Sequence, residues 1–271
     1  MMYNTKMFMT KRSVFRIFYL SAVILFIYLP IVCIVVYSFN DAEKGMKWTG
    51  FTLKWYGDVM RSRELKSSLL LSLTVAAAAS LLSTVIGGLG AIGANRLRAG
   101  IKGLVGDAAT IPLVMPEIIM GVGLLSFFVL LSVDFGTLTL ILAHTTFCIP
   151  FAYMMVGLRL SESDGLYEDA ARDLGASGFT VFRTVTLPII APALAASCLI
   201  SFAMSFDDAA VSFFVGGAET TPLAVKVLSY TKLGVKPSVY ALYSMMLLFV
   251  AAVAVMYMFT NKLKKRGMKK L

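Results

Sequence analysis

Three carboxylates sit where the chain is otherwise apolar. Asp207 and Asp208 are adjacent in "SFDDAAVSF" (residues 205–213), inside an apolar stretch that begins near Ala191. Glu117 lies in "VMPEIIMGVG", directly after Pro116. A charge at the centre of a membrane helix costs roughly 2.5–3.5 kcal/mol on insertion scales, so such residues persist where they face a cavity or a partner. No lysine or arginine stands in the middle of an apolar segment to neutralise them. Three kinds of chemistry fit the set: binding a cation brought by a ligand, relaying protons, or capping a helix and hydrogen-bonding to a neighbour. For the first, two unit charges about 4 Å apart gain on the order of 4 kcal/mol at an effective dielectric near 20, before desolvation is subtracted. Neighbouring helical residues project about 100° apart, so only one aspartate of the pair faces a pathway squarely unless the helix breaks there.

Other constellations lead away from catalysis. The single histidine, His144 in "LAHTTFCIPF", has no acid near it in sequence and reads as a packed, hydrogen-bonded side chain. No serine occurs as G-x-S-x-G. Cys33, Cys148 and Cys198 lie in apolar runs without metal-like spacing. Gly88, Gly90 and Gly93 in "GGLGAIG" satisfy G-x-G-x-x-G, but a dinucleotide fingerprint needs a preceding strand; within an apolar span small residues let helices approach. No G-x-x-x-x-G-K-[ST] is present, so the chain carries no P-loop for ATP. The expectation is a protein that is not an enzyme and binds no cofactor or metal of its own.

The elements that hold these residues follow from composition. Of 271 residues, 58% are hydrophobic and 15% charged, far from the roughly one-quarter charged make-up of a soluble domain. Six hydrophobic segments, at about 15–39, 68–95, 104–133, 137–158, 191–215 and 239–261, are each long enough to cross ~30 Å of hydrocarbon as helix. Backbone groups in lipid must be satisfied within their own segment, so the class is all-α integral membrane with six transmembrane helices. The first segment is too long for a signal-peptide core, lacks a small-residue cleavage site and reads as a retained anchor. With both termini on one side, that side holds 16 of the 25 lysines and arginines, which predicts cytoplasmic termini. Topology thereby accounts for the net charge of +10, and nucleic acid drops out as a partner. The expected organisation is a cytoplasmic tail over 1–14, a membrane domain over 15–261 and a basic tail over 262–271 that meets anionic lipid. External loops are placed at 40–66 and 216–238, with a cytoplasmic loop at 159–190. In the first external loop a short interfacial helix is expected over "TLKWYGDVMRSRELK", with Trp55 and Tyr56 at headgroup level. Trp48 reads as a belt anchor or as a ring facing cargo.

The cytoplasmic loop is the most informative connection. "LYEDAARDLGASGFTVFRTVTLPIIAPAL" (166–194) reads as an amphipathic helix, a glycine turn, a second short helix, and a proline leading into the fifth span. It resembles the EAA signature of ABC importer permeases, E-A-A-x3-G-x9-[IV]-x-L-P. Asp169, Ala170, Ala171, Gly175, Val185, Leu187 and Pro188 stand at the pattern's full spacing, with Asp169 in the usual glutamate position and Glu168 just before it. Further stretches, "SFND…WTGFTLKWY", "PEIIMG", "AHTTFC" and "SFAMSFDDAAVSFFVGG…TTPLAVKVLSYTKLGVKPSVYAL", resemble spermidine/putrescine permeases over nearly the whole chain.

That resemblance implies a type I importer permease fold with a cytoplasmic coupling helix, set in a bacterial cytoplasmic (inner) membrane. It further implies a second related permease, two copies of a cytoplasmic ATPase that binds ATP and Mg, and an external polyamine-binding protein. Glu117, Asp207 and Asp208 would line the polyamine pathway. Trp48 and Glu219 of "GGAETTP" would lie where the binding protein docks. Glu168, Asp169, Ala170, Ala171, Gly175, Leu187 and Pro188 would couple to the ATPase, Gly175 supplying the turn and Pro188 starting the next span. Two other functions stay open: an ABC permease for a different small cargo, and an ion-coupled secondary transporter using the intramembrane acids as relays. The second requires internal repeats, and none is evident.

Overall fold

A computed structural model describes residues 11–42, 47–163, 165–232 and 237–268. The orientation argument's Lys6, Lys44, Lys236, Lys269 and Lys270 lie outside the described residues, as does most of the tail over 1–14. The helices in order are α1 Lys11–Tyr37, α2 Lys54–Arg61, α3 Arg63–Asn95, α4 Ala99–Val114, α5 Glu117–Leu130, α6 Thr137–Ser161, α7 Leu166–Asp173, α8 Gly178–Val181, α9 Leu187–Asp207, α10 Ala210–Val215, α11 Leu223–Lys232 and α12 Pro237–Met268. Among the described residues the only extended pairing is an isolated bridge between Asn40 and Phe51.

Among the described residues, five helical stretches are long and apolar enough to cross a membrane, and the bent pair α4 and α5, counted as one span, makes six. Here the expectation of one uninterrupted span over 104–133 needs correction. The two helices meet at 106°, because Pro116 has no N–H for the ladder and forces Met115 out of the helical region (φ −77°, ψ 134°). The fifth segment is altered in the opposite sense at its start. Helix runs without interruption over Gly178–Asp207, so Pro188 does not begin the span. A π-helical turn, Phe182–Thr186, carries the helix across the proline, with Leu187 N–H donating to the Phe182 carbonyl.

Two compact units divide the chain: Met1–Ser62 with Tyr230–Leu271, and Arg63–Ser229. In the first, α2 is shorter than the helix expected over residues 52–66, since the backbone turns extended at Ser62. Tyr56 ties α2 to the turn after α1 and to α12, its hydroxyl lying 2.7 Å from Ser38 Oγ and 3.2 Å from Ser244 Oγ. Trp55 Nε1–H donates to the Asn40 carbonyl at 2.7 Å, which fixes the chain where it leaves α1.

In the second unit α3, α6 and α9 form the centre. The buried face of α3 is a seam of small residues, including Ser72, Ala76, Ala79, Ser83, Gly87 and Ala91, at the three- and four-residue steps of one helix face. Such a seam permits close backbone approach in lipid, where association rests on packing. Gly87 is the tightest point: a methyl there would lie 2.5 Å from the Ile149 carbonyl oxygen and 2.8 Å from Ala152 Cβ. Gly88 packs on Leu194, while Gly93 meets nothing within 4 Å. One apolar cluster joins Val75 to Leu140, Ala143, Phe147 and Val211; another joins Ala91 to Val156, Leu160 and Ile190. These pairings make α3 and α6 parallel and α9 antiparallel to both, as alternating spans require.

Candidate functional site

The breaks between α4 and α5 and between α9 and α10 open onto one cavity of about 710 Å³ in the second unit. Irregular backbone at membrane depth is tolerated where it lines a cavity or is buried in protein. Glu117, Asp207 and Asp208 all line this cavity, together with Met115, Met120, Met204, Phe147 and Phe151. Residues ninety positions apart in sequence thus share one chamber with soft apolar walls.

The three acids are not equivalent. Asp208 is spoken for by the protein. One carboxylate oxygen accepts the Val211 N–H at 3.1 Å; the other accepts the Ser212 N–H at 2.7 Å and lies 3.4 Å from His144 Nε2. Its side chain is 6% exposed. Asp208 therefore caps α10, the alternative that sequence reasoning had left open for it. His144 is buried as expected, with Nδ1 2.6 Å from Ser205 Oγ and Nε2 2.9 Å from Ser212 Oγ. The fold supplies the acidic neighbour that its sequence surroundings lack.

Asp207 and Glu117 differ from Asp208 in two respects. Both are exposed, and among the described residues no hydrogen bond or ion pair engages either carboxylate. Their helix positions differ as well. Glu117 opens α5, where the helix dipole favours a negative charge by ~0.3–1 kcal/mol. Asp207 closes α9, where the same dipole opposes it. Of the three, Asp207 has the least compensated charge.

At the other end of α6 lies the loop with the EAA-like pattern. Gly175 has φ +84° and forms a two-bond C-cap: its N–H donates to the Arg172 carbonyl (2.8 Å), and the Ala176 N–H donates to the Ala171 carbonyl (3.1 Å). Glu168 and Asp169 point differently. Thr186 Oγ1 donates to Glu168 at 2.5 Å, tying α7 to the π-helical turn. Asp169 is 72% exposed, 3.5 Å from Arg172. Ala170 is exposed, Ala171 half-buried, and Leu187 and Pro188 lie within the continuous helix beyond the turn. Helix α7 buries no residue, and Leu166, Tyr167, Leu174 and Phe179 form an exposed apolar surface around it.

The remaining candidates lie apart from the cavity lining. Trp48, in the first unit, is half exposed; Asn40 holds its flanks, donating from Nδ2 to the Lys47 carbonyl and accepting the Thr49 N–H. Glu219, in the second unit, is exposed in a turn closed by the Thr220 N–H donating to the Gly217 carbonyl. Sequence reasoning missed the bond between Glu168 and Thr186, for which no local signal exists. It also missed the break at Pro116, for which the Met-Pro-Glu sequence is a signal: proline before an acid commonly marks a helix start.

The family model for the binding-protein-dependent transport system inner membrane component matches residues 7–269. The spermidine/putrescine transport system permease protein PotC of Shigella flexneri is 37% identical over 251 residues, covering 92% of this chain and 95% of that protein. The putrescine transport system permease protein PotI of Escherichia coli (strain K12) is 38% identical over 244 residues, covering 87% and 86%. Among solved structures, a bacterial alginate ABC transporter in complex with an alginate pentasaccharide-bound periplasmic protein aligns with TM-score 0.68 at 17% identity, over 92% of this chain and 93% of that one. The MetNI methionine ABC transporter in an inward-facing conformation aligns with TM-score 0.59 at 21% identity, over 71% and 91%. The fold is that of ABC importer permeases, and the chain belongs to the family of binding-protein-dependent transport system inner membrane components, as a multi-pass inner-membrane protein.

Proposed function

We propose that this chain is the permease subunit of an ATP-driven importer and forms the pathway for polyamines such as spermidine and putrescine. The observation that carries the reading is the pair of unpartnered carboxylates, Glu117 and Asp207, in a cavity walled by methionine and phenylalanine. A polyamine is a run of methylenes bearing ammonium groups. Its charges complete the electrostatics of the acids, its methylenes suit the methionine walls, and an ammonium over Phe147 or Phe151 gains a further ~0.5–2 kcal/mol. The likeness to spermidine/putrescine and putrescine permeases supports the same cargo.

On this reading the termini are cytoplasmic, on the side richer in lysine and arginine. Two copies of a cytoplasmic ATPase serve this chain and a second, related permease, and one ATPase grips α7. An external binding protein delivers cargo, with Trp48 and Glu219 each belonging to a docking surface. ATP binding then shifts the spans from inward-facing to outward-facing, in the alternating-access manner. The acids meet the polyamine, and hydrolysis releases it inward.

The test is ATP-dependent uptake of radiolabelled spermidine and putrescine by the complex reconstituted in proteoliposomes, with Glu117→Gln and Asp207→Asn beside the wild type. Each variant should assemble and need about tenfold more cargo for half-maximal uptake, equivalent to ~1.4 kcal/mol. Undiminished affinity in both would refute the cation pathway.

A further inference from the structure

The two helix breaks that form the cavity have different origins. Pro116 makes the first by covalent geometry. Nothing comparable makes the second: from Cys198 to Val215 the chain has neither proline nor glycine, and the break falls at Asp208 and Ala209, just before Ala210. Alanine is the strongest helix former, so Ala209 and Ala210 favour running α9 straight into α10. The Asp208 side chain opposes this locally by capping the Val211 and Ser212 N–H groups, and tertiary contacts add to that cap in holding the helix open.

Those contacts converge on one side chain. His144 Nδ1 meets Ser205 in the last turn of α9 at 2.6 Å, while Nε2 meets Ser212 of α10 at 2.9 Å and faces Asp208 in the break at 3.4 Å. One imidazole therefore spans both sides of the discontinuity. The carboxylate beside Nε2 favours the tautomer with its proton there, leaving Nδ1 to accept from Ser205. Helix α10 has six residues, too few to persist unaided, and α6 also holds its far end, where Thr139 Oγ1 donates to the Val215 carbonyl at 2.8 Å.

We infer that His144 is a positioning residue: by bridging Ser205 to Ser212 and Asp208 it keeps the break open, and it thereby holds Asp207 toward cargo in the cavity. The inference rests on the reading of Asp207 as a cargo-binding carboxylate. His144 itself does not line the cavity; it acts through Asp208 and the helix ends. Without it, helix formation across residues 208–210 swings Asp207 away from its present direction.

The experiment uses the full reconstituted complex with its binding protein at fixed, saturating concentration, and radiolabelled spermidine as probe. His144→Leu should raise the half-saturating cargo concentration about tenfold with maximal uptake within about twofold of wild type. His144→Gln, whose amide can still donate on one side and accept on the other, should restore most of the affinity. Ser212→Ala removes the hydroxyl's bond to the imidazole and its contact with Asp208 and should raise the half-saturating concentration about threefold; it also serves if the leucine variant does not assemble. A fall in maximal uptake at unchanged half-saturation in these variants would overturn the inference and leave His144 a purely structural residue. Asp207→Asn, run in parallel, separates the two ideas. If it leaves half-saturation unchanged, the cargo role of Asp207 fails. If it raises half-saturation while His144→Leu and Ser212→Ala do not, only the positioning role fails.

Discussion

Gly175 offers a perturbation whose cost can be worked out almost entirely from backbone geometry. Its φ of +84° lies in the left-handed region, which costs an ordinary L-residue roughly 1–2 kcal/mol. A Cβ there would meet nothing within 4 Å, so no clash enters and the penalty is conformational alone. The helix it terminates is vulnerable: α7 has eight residues and buries none of them, whereas isolated helices below ~12–15 residues are marginal. With the two capping bonds and the Glu168–Thr186 bond as its main ties, a loss of roughly 1–2 kcal/mol lowers the equilibrium constant for ordering α7 about 5- to 30-fold. Gly175→Val, β-branched and poorly suited to positive φ, should abolish most cargo-stimulated ATPase activity and uptake while the permease still reaches the membrane. Gly175→Asn should recover much of both, because asparagine tolerates the left-handed conformation. Activities would be measured on the reconstituted complex, with and without loaded binding protein. Equal damage from valine and asparagine, or none from either, would refute the reasoning.

Further outcomes follow from the same geometry. Thr186→Val removes the donor to Glu168 and leaves a half-buried carboxylate without it, so ATPase stimulation should weaken, by less than in Gly175→Val; hydrogen exchange in α7 reports the loosening directly. Asp208→Asn places an amide donor against backbone N–H donors at a site only 6% exposed, a cost of ~1–3 kcal/mol that should lower the thermal stability of the purified complex. Gly87→Val forces a side chain into the Ile149 carbonyl, so α3 and α6 must separate and the assembled complex should be lost from detergent extracts.

How much of this was legible in the sequence depended on whether the signal was local. The spans were, because apolar length and basic flanks are local properties; α6 begins at residue 137 as read. Gly175 was equally readable, since an αL cap is written in its own residue. Within "GGLGAIG" the packing reading holds for Gly88 and not for Gly93, and the closest approach falls on Gly87, one position before the G-x-G-x-x-G pattern, because contact with Ile149 depends on the register of two helices. The break after Asp207 was legible only as one of two alternatives: the adjacent acids interrupt the apolar segment, Ala209 and Ala210 argue for continuity, and the bonds that span the break come from His144, more than sixty residues earlier. That a continuous helix would aim only one of Asp207 and Asp208 at a pathway was readable; which one it is was hidden for the same reason. The continuous helix over 178–207 was obscured by Pro188, which sequence rules treat as a boundary but which a wide turn can absorb.

That uninterrupted helix has a mechanical consequence. From Gly178 to Asp207 it forms a single rod of 30 residues, about 45 Å long at 1.5 Å per residue. Thr186, the ninth residue from one end, bonds to Glu168 of α7; the other end carries the least compensated acid. Tilting such a rod by about 5° at its base moves its tip by roughly 4 Å, as much as the reach of an ion pair. If Asp207 holds cargo as proposed, a nudge small enough to leave every helix intact is thus sufficient to make or break the grip on a passenger at the far end.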